Sequence, residues 1–272
     1  MGKGRGRKRG GASGAQGFEE HYRERYGERW PRLHAALLRP PGYVALRHGL
    51  VKPYYLDGAS ALSVTALPIA AGDQVLDLCA APGGKTLALI SAACRNGTTQ
   101  ALRITANERS RARRARLQRT LDEHLPSPSP VSVQVTGHDA RRWGLYEQNA
   151  YEHAIADVPC SAERHLLTTP AELNRWSPAR TKRLAIDAYA ILAAALTAVR
   201  PQGTVLYLTC ALLDDENDAV VEKALRRFEG RVRAEPPQLR IGTGTRYGLQ
   251  VLPDQDDGCG PLYLARLRKS SG

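Results

Sequence analysis

The segment QVLDLCAAPGGKT, at positions 74–86, contains a short apolar run followed by a turn with two glycines. The run at 74–78 predicts a buried strand, and apolar residues at 86–93 predict a helix directly after the turn. A second short strand is predicted at 101–106. Because a strand, a helix and a second strand in this order form a parallel unit, the segment predicts an α/β sheet.

The same alternation continues toward the C-terminus. Further strands are predicted at 131–136, 153–157 and 204–208, and further helices at 110–124, 178–199 and 216–228. This order predicts a doubly wound, mostly parallel sheet of the Rossmann-like α/β class. Alternating apolar residues at 262–267 predict an antiparallel edge strand near the C-terminus.

The composition is typical of one folded domain. Of the 272 residues, 42% are hydrophobic and 24% are charged, which is ordinary globular usage. The longest apolar run, at 188–199, is too short to span a bilayer, so no membrane partner is expected. The chain contains 39 Lys and Arg residues and 27 Asp and Glu residues, so its net charge is +12. This charge favours a polyanionic partner such as nucleic acid.

Three regions are predicted along the chain. Residues 1–17 are predicted to be a flexible, basic tail rich in Gly and Arg. Residues 18–58 are predicted to form a helical extension at 18–38 and then a connector rich in Tyr, Pro and Gly. Residues 59–272 are predicted to form the α/β domain. The tail lacks the apolar segment of a secretory signal, so a cytoplasmic location is expected.

The five cysteines agree with a reducing compartment. They are an odd number without a close pair, which predicts neither a disulfide framework nor a zinc site, and no other metal site is predicted.

The residues that follow the predicted strands should share one crevice, because ligands of open α/β sheets bind beyond the carboxyl ends of the strands. Five strand ends carry small or polar residues: Cys79 to Thr86, Asn107 with Glu108, His138 with Asp139, Asp157 to Cys160, and Thr209 with Cys210. The sequence therefore predicts one ligand site built from five loops.

The first loop predicts a nucleotide-like ligand. Small residues at 80, 81, 83 and 84 would let a ligand approach the backbone, and the N-terminus of the next helix would attract an anion. A phosphate-binding loop would require glycine in place of Cys79, which disfavours a P-loop-like phosphotransferase. Glu108 is placed to accept hydrogen bonds from the ribose hydroxyls of an adenosine, so an adenosyl ligand is favoured.

Cys160 and Cys210 follow neighbouring strands and should face one another. Three interpretations are open here: packed thiols without a role, a metal site that lacks two further ligands, and nucleophilic chemistry. A free thiol is only a few per cent thiolate at neutral pH. A nucleophilic Cys210 would therefore need help from a base or from the helix predicted to start near Glu216.

Three stretches, DLCAAPGGKT at 77–86, DVPC at 157–160 and YLTC at 207–210 with Glu216 and Asn217 after it, resemble the Sun/Fmu (NSUN) family of RNA cytosine-5 methyltransferases. The resemblance covers roughly 54–269 and implies the class I methyltransferase form of the Rossmann-like fold. Residues 157–165 and 260–268 most closely resemble the branch that includes the mitochondrial small-subunit ribosomal RNA enzyme. Mitochondria are therefore the alternative location.

The resemblance implies S-adenosylmethionine as the methyl donor. The residues implied to bind it are Cys79, Ala80, Ala81, Pro82, Gly83, Gly84, Lys85, Glu108 at the ribose, Asp139 near the adenine, and Asp157. The resemblance also implies that Cys210 attacks C6 of the cytosine and that Cys160 assists release of the methylated base. Asp157 is implied to hold the N3/N4 edge of the base.

The chain departs from the family pattern near both cysteines. Leu208 and Ala211 stand where the family has serine, and Ala162 and Arg164 stand where it has glycine. These departures concern activation and substrate choice more than the type of reaction.

The expected activity is methyl transfer to C5 of cytosine in RNA, with ribosomal RNA as the expected partner. A helper RNA-binding protein is a further expected partner, and the chain is expected to be a monomer. Two alternatives are an RNA-binding ribosome-assembly factor with the same fold and weak catalysis, and the P-loop-like phosphotransferase.

Overall fold

The computed structural model describes residues 13–271, so most of the tail predicted at 1–17 lies outside the described residues. The described chain begins with two helices, α1 (Gly14–Tyr26) and α2 (Trp30–Leu38), joined by a 3₁₀ turn. The single helix predicted at 18–38 is therefore wrong. Gly27 interrupts it because its φ of 52° lies in the left-handed region. α1 begins at Gly14, within the predicted tail. Its side chains Phe18 and Tyr22 are buried, so the helix packs against the rest of the protein.

The predicted connector contains a hairpin. Strands β1 (Tyr43–Leu46) and β2 (Tyr54–Asp57) pair in antiparallel fashion. The hairpin packs over the turn after the first strand of the main sheet. A Cβ atom on Gly84 would lie 2.9 Å from Cδ1 of Leu56. Glycine is therefore required at position 84 because protein occupies the space above it.

The main sheet contains nine strands among residues 13–271. They are β3 (Gln74–Asp77), β4 (Arg103–Asn107), β5 (Ser132–Thr136), β6 (Tyr151–Asp157), β7 (Val199–Thr209), β8 (Val232–Glu235), β9 (Thr243–Gly244), β10 (Leu249–Val251) and β11 (Leu262–Lys269). Their order is β5-β4-β3-β6-β7-β11-β10-β9, and β8 pairs with β11. The neighbours from β5 to β7 pair in parallel, which confirms the predicted doubly wound, mostly parallel sheet.

The last strand is antiparallel, as predicted, but it does not lie at the edge. β11 pairs with β7 on one side, from Tyr263 opposite Thr209 to Arg268 opposite Thr204. On its other side it pairs with β10 and β8. The edge prediction was wrong because three short strands add beyond β11, and their alternation is too brief to be recognised in the sequence.

Helices cover both faces of the sheet. After α1 and α2 they are α3 (Gly58–Ser63), α4 (Gly84–Asn96), α5 (Arg111–His124), α6 (Glu163–Leu167), α7 (Pro170–Leu173), α8 (Pro178–Ala198) and α9 (Asp218–Arg227). α8 and α9 share one core with Leu76 and Tyr207, and α4 shares another with Val75 and Leu206. Because adjacent strand residues point into different cores, the sheet is buried on both faces. Within 13–271 no helix has the length and apolar character needed to cross a membrane.

Candidate active site

The parallel pairing of β3 to β7 brings the five predicted strand ends to one edge of the sheet. Two cavities lie along this edge. The smaller, of about 170 Å³, is lined by Cys79, Glu108, Asp139 and Pro159. The larger, of about 540 Å³, is lined by Cys210 together with residues of the N-terminal extension. Three predicted cofactor residues, Cys79, Glu108 and Asp139, therefore open onto a different cavity from the predicted nucleophile. The other predicted cofactor residues, 80–85 and Asp157, line neither cavity.

The smaller cavity has apolar walls and acidic groups. Leu78, Pro159 and Ile191 line it together with Glu108 and Asp139. This combination fits an adenosine, whose base needs a flat apolar slot and whose hydroxyls need hydrogen-bond acceptors.

Glu108 is buried and already has protein partners. Its Oε1 accepts a hydrogen bond of 2.7 Å from the backbone N–H of Ser110, and Nη1 of Arg113 lies 3.3 Å from its Oε2. Arg113 also donates to the carbonyl of Ala81 at 2.9 Å. A carboxylate has about four lone-pair positions, so Glu108 can still accept from a ligand. The sequence did not single out Arg113, which lies one turn into α5.

Asp139 is held by arginines. Arg141 approaches its Oδ2 to 2.7 Å and Arg109 to 3.4 Å. The hydrogen bond from Arg141 lowers the pKa of Asp139 to about 2. Asp139 is therefore ionised at neutral pH, and its charge is balanced before any ligand binds.

The small residues of the first loop contact protein atoms. Ala80 and Ala81 are buried in a core that includes Leu87 and Leu117. Gly83 has a φ of 114°, and a Cβ atom there would lie 3.1 Å from Cγ2 of Thr120. From the sequence, the small residues at 80, 81, 83 and 84 were explained by the close approach of a ligand. The structure explains them by packing against protein atoms and by the backbone conformation of the turn. Pro82 is exposed between them.

Asp77 lies beneath the same turn and was not predicted as a site residue. It accepts a hydrogen bond of 2.7 Å from Oγ1 of Thr86, and burial raises its pKa to about 7. Its position as the last residue of β3 was the available signal.

Lys85 and Asp157 form an ion pair, with Nζ 2.7 Å from Oδ2. Burial works against the ammonium, but the carboxylate of Asp157 outweighs it and raises the pKa of Lys85. Cys210 also favours the charged form of Lys85. A permanent positive charge therefore lies close to the predicted nucleophile.

Cys160 and Cys210 face one another, as their strand positions predict. Their Sγ atoms are 3.0 Å apart, and the backbone N–H of Cys210 lies 3.2 Å from Sγ of Cys160. The hydrogen bond with Cys210 and burial both raise the pKa of Cys160. Cys160 is therefore a neutral thiol at neutral pH, and its sulfur lies within hydrogen-bond distance of the sulfur of Cys210.

Glu216 and Asn217 connect the two cysteine loops. The carboxylate of Glu216 accepts hydrogen bonds from the backbone N–H of Ser161, at 2.9 Å, and from its hydroxyl. Asn217 accepts from Oγ1 of Thr209 at 2.6 Å and donates to the carbonyl of Ala211 at 3.0 Å. These contacts fix the residues next to both thiols.

The predicted help from a helix near Glu216 is not found. α9 begins at Asp218, and the 3₁₀ turn before it, Asp214–Glu216, is wholly acidic. Acidic side chains offset the positive end of a helix, so this segment does not favour a thiolate. Lys85, which is paired with Asp157, is a positively charged side chain that interacts electrostatically with Cys210.

Ala162 adopts the left-handed conformation, with φ 53° and ψ 55°. Glycine takes this conformation without steric cost, which explains the glycine of the family pattern at this position. The departure at Ala162 therefore strains the backbone two residues after Cys160.

The larger cavity is lined by residues from several distant segments. Arg39 and Tyr43 come from the extension, and Arg164 and His165 from the Cys160 loop and the start of α6. Arg164 donates to the carbonyl of Gly260 at 2.7 Å, which joins the loop before β11 to the rim. Tyr43 is 60% exposed. The cavity is thus open, bears cationic side chains, and leads to Cys210.

No group of three or more His, Cys, Asp or Glu side chains within 13–271 is arranged to hold a metal ion.

A family model described as 16S rRNA methyltransferase RsmB/F matches residues 64–268. The chain belongs to the RsmB/F methyltransferase family. The match includes both cysteines and the whole of the smaller cavity, whereas α1 and α2 precede it. Curated relatives named NSUN4 confirm the resemblance inferred from the sequence motifs.

Three relatives illustrate the RsmB/F similarity. A 5-cytosine rRNA methyltransferase NSUN4 of Xenopus tropicalis is 38% identical over 237 residues, covering 80% of this chain and 57% of the relative. A mitochondrial tRNA (cytosine(34)-C(5))-methyltransferase of Danio rerio is 36% identical, covering 81% and 62%. Ribosomal RNA small subunit methyltransferase F of Erwinia tasmaniensis is 32% identical, covering 79% and 45%. The chain spans about half of the length of these relatives.

Solved structures share the fold. A methyltransferase homolog protein from Pyrococcus horikoshii superposes with a TM-score of 0.71 at 19% identity, covering 93% of this chain and 94% of that one. NSun6 from the same organism, solved with SFG, has a TM-score of 0.67 at 22% identity, covering 83% and 54%. The Rossmann-like class I methyltransferase fold predicted from the sequence is confirmed.

Proposed function

We propose that this protein transfers a methyl group from S-adenosylmethionine to C5 of a cytosine in RNA, through a covalent bond between Cys210 and C6 of the base. The observation that carries the proposal is the pair of thiols 3.0 Å apart, with Cys210 opening onto a large basic cavity. The names of the relatives, which act on rRNA or tRNA cytosines, support the same reaction.

S-adenosylmethionine is the cofactor, and the smaller cavity fits its adenosyl part. Glu108 would accept from the ribose hydroxyls, Asp139 would lie near the adenine, and Cys79 would line the remainder. When bound, the cofactor supplies an electrophilic methyl group. The P-loop-like alternative has no support, since the chain belongs to a methyltransferase family.

The chain's own groups prepare the nucleophile. The charged ammonium of Lys85 interacts electrostatically with Cys210, and the sulfur of Cys160 lies in contact with the sulfur of Cys210. The thiolate forms a bond to C6, and the electron pair of the C5–C6 double bond makes C5 nucleophilic. Asp157 holds the N3/N4 edge of the base.

Release reverses the first step. Loss of the proton from the methylated C5 to solvent water restores the C5–C6 double bond and expels the sulfur of Cys210 as a thiolate. Cys160 is in contact with that sulfur and assists its departure.

Ribosomal RNA is the proposed substrate, because two of the three relatives described above carry rRNA in their names and the net charge of +12 suits a polyanion. The tRNA methyltransferase relative is named as mitochondrial, which supports a mitochondrial rather than a cytoplasmic location for this protein. Binding of a helper RNA-binding protein remains a prediction, as does the monomeric state of the chain.

The decisive experiment measures methyl transfer to total RNA by wild-type protein and by Cys210→Ala. We expect turnover to fall by more than about 10³-fold, while the affinity for S-adenosylmethionine, measured by calorimetry, stays within about twofold. Cys94→Ala on α4 is the matched control. Retention of more than about a tenth of wild-type turnover in Cys210→Ala, a barrier change of under about 1.4 kcal/mol, would show that Cys210 is not the nucleophile.

A further inference from the structure

Two tyrosines of α1 reach the segment that follows Cys210. Tyr26 donates a hydrogen bond of 2.7 Å to the carbonyl of Leu212. Tyr22 donates one of 2.5 Å to Oε1 of Glu163, and the other oxygen of Glu163 accepts from the N–H of Leu212 at 3.2 Å. The carbonyl of Leu212, two residues after Cys210, is therefore bonded directly to α1, and its N–H is linked to α1 through Glu163.

Glu163 belongs to the other cysteine loop, three residues after Cys160. Its carboxylate consequently joins three segments: α1, the loop that carries Cys160 and the loop that carries Cys210. A shift of either loop would change the distance between the two sulfur atoms. Reactions at positioned groups are sensitive to such shifts, and a displacement of about 1 Å can cost about 100-fold in rate.

The hydroxyl of Tyr22 is not needed to fill space. Tyr22 and Glu163 are fully buried, and the ring of Tyr22 stacks on Trp30 with centroids 5.2 Å apart, beside Phe18 and Trp176. A phenylalanine would pack in the same place. A buried carboxyl group must nevertheless have hydrogen-bond partners, so the Tyr22 hydroxyl determines where Glu163 is held.

We propose that α1 is a positioning element of the catalytic centre: Tyr22 and Tyr26, acting through Glu163 and Leu212, set the contact between Cys160 and Cys210. The inference rests on the proposed function, since it concerns the same thiol pair. It assigns a role to a segment that lies before residues 64–268, where the family similarity is found.

The test compares Tyr22→Phe, Tyr26→Phe, Glu163→Gln and the Tyr22→Phe/Glu163→Gln double variant with wild type. Tyr151→Phe is the matched control, because it removes another buried tyrosine hydroxyl bonded to a carboxylate, that of Glu147, at the opposite end of β6. Covalent trapping on RNA that contains 5-fluorocytosine counts active sites, since the C5–F bond prevents release. kcat is then expressed per active site, and KM is measured alongside it.

We expect Tyr22→Phe to lower kcat and the trapping rate about tenfold, with the KM for RNA and the Kd for S-adenosylmethionine unchanged. Glu163→Gln should lower kcat at least as much, and the double variant should lose no more than Glu163→Gln alone, because both changes break one chain of contacts. Tyr151→Phe should keep wild-type kcat even where its melting temperature falls.

Wild-type kcat per active site in both Tyr22→Phe and Tyr26→Phe would overturn the inference and leave α1 a purely structural role. Failure of the proposed function gives a different result: wild-type protein would form neither product nor trapped adduct with any RNA. In that case the rate of Cys210 alkylation by iodoacetamide still tests the positioning. An unchanged rate in Tyr22→Phe would refute it, and a changed rate with wild-type behaviour in Tyr151→Phe would support it.

Discussion

The buried carboxyl of Glu163 makes the stability of the protein depend on pH, and Glu163→Gln should remove much of that dependence. Burial, followed by the charge of Glu216, raises the pKa of Glu163 from 4.5 to about 8. Burial likewise raises the pKa of Glu216 to about 7. The folded protein therefore retains protons on these two groups at a pH where the unfolded chain has lost them.

The sign follows from proton linkage. Where the folded state binds more protons than the unfolded state, stability falls as the pH rises. The stabilising contribution of protonated Glu163 is complete below pH 4.5 and is lost as the pH rises through about 8. Each pKa unit corresponds to about 1.4 kcal/mol, which sets an upper limit of roughly 5 kcal/mol for this change. Because Glu216 interacts with Glu163, we expect about 2–4 kcal/mol from Glu163 itself.

Glutamine at position 163 does not titrate, but its amide nitrogen cannot accept a hydrogen bond, whereas the protonated carboxyl group of Glu163 offers an oxygen to both Tyr22 and Leu212. The variant should therefore be less stable than wild type at pH 5.5, by about 1–3 kcal/mol. The difference should shrink or reverse by pH 8.5. Urea unfolding at pH 5.5, 7 and 8.5 measures it, with exposed Glu24→Gln on α1 as the control. Parallel pH profiles for wild type and Glu163→Gln would refute the reasoning.

Three further outcomes are expected. Cys160→Ala should accumulate a covalent protein–RNA adduct through Cys210, seen as a band that resists denaturant; full activity without any adduct would make Cys160 only a packed neighbour. Glu108→Ala should weaken S-adenosylmethionine binding at least about tenfold by calorimetry, because each hydrogen bond to a charged acceptor is worth roughly 1.5–3 kcal/mol; unchanged affinity would remove Glu108 from the site. Ala162→Gly should relieve the left-handed strain and raise stability by about 1 kcal/mol in urea unfolding; a destabilised variant would show that no strain is stored there.

Several features of the site were predicted wrongly from the sequence or were missed, and the cause is the same in each case. Gly83 and Gly84 were recognised as turn residues, but the atoms that require them to be small come from α5 and from the hairpin. Help for Cys210 was expected from the nearby helix, whereas the cation that interacts with Cys210 is Lys85, more than 100 positions earlier. In both cases the neighbour in space is remote in sequence, and no local pattern indicates it.

The sequence by itself determined the parallel strands, the loops at their ends and the facing of Cys160 and Cys210, because strand periodicity and short motifs are local and neighbouring parallel strands end at one edge. Only the tertiary structure decided that Tyr22 would meet Glu163, a pair 141 positions apart. Such a contact depends on how α1 packs on the sheet domain. The helical spacing of Phe18, Tyr22 and Trp30 indicates a buried face, but it does not indicate which segment of the chain covers that face. The residues that carry the proposed reaction were therefore readable along the chain, and those that hold them in place became visible only in the fold.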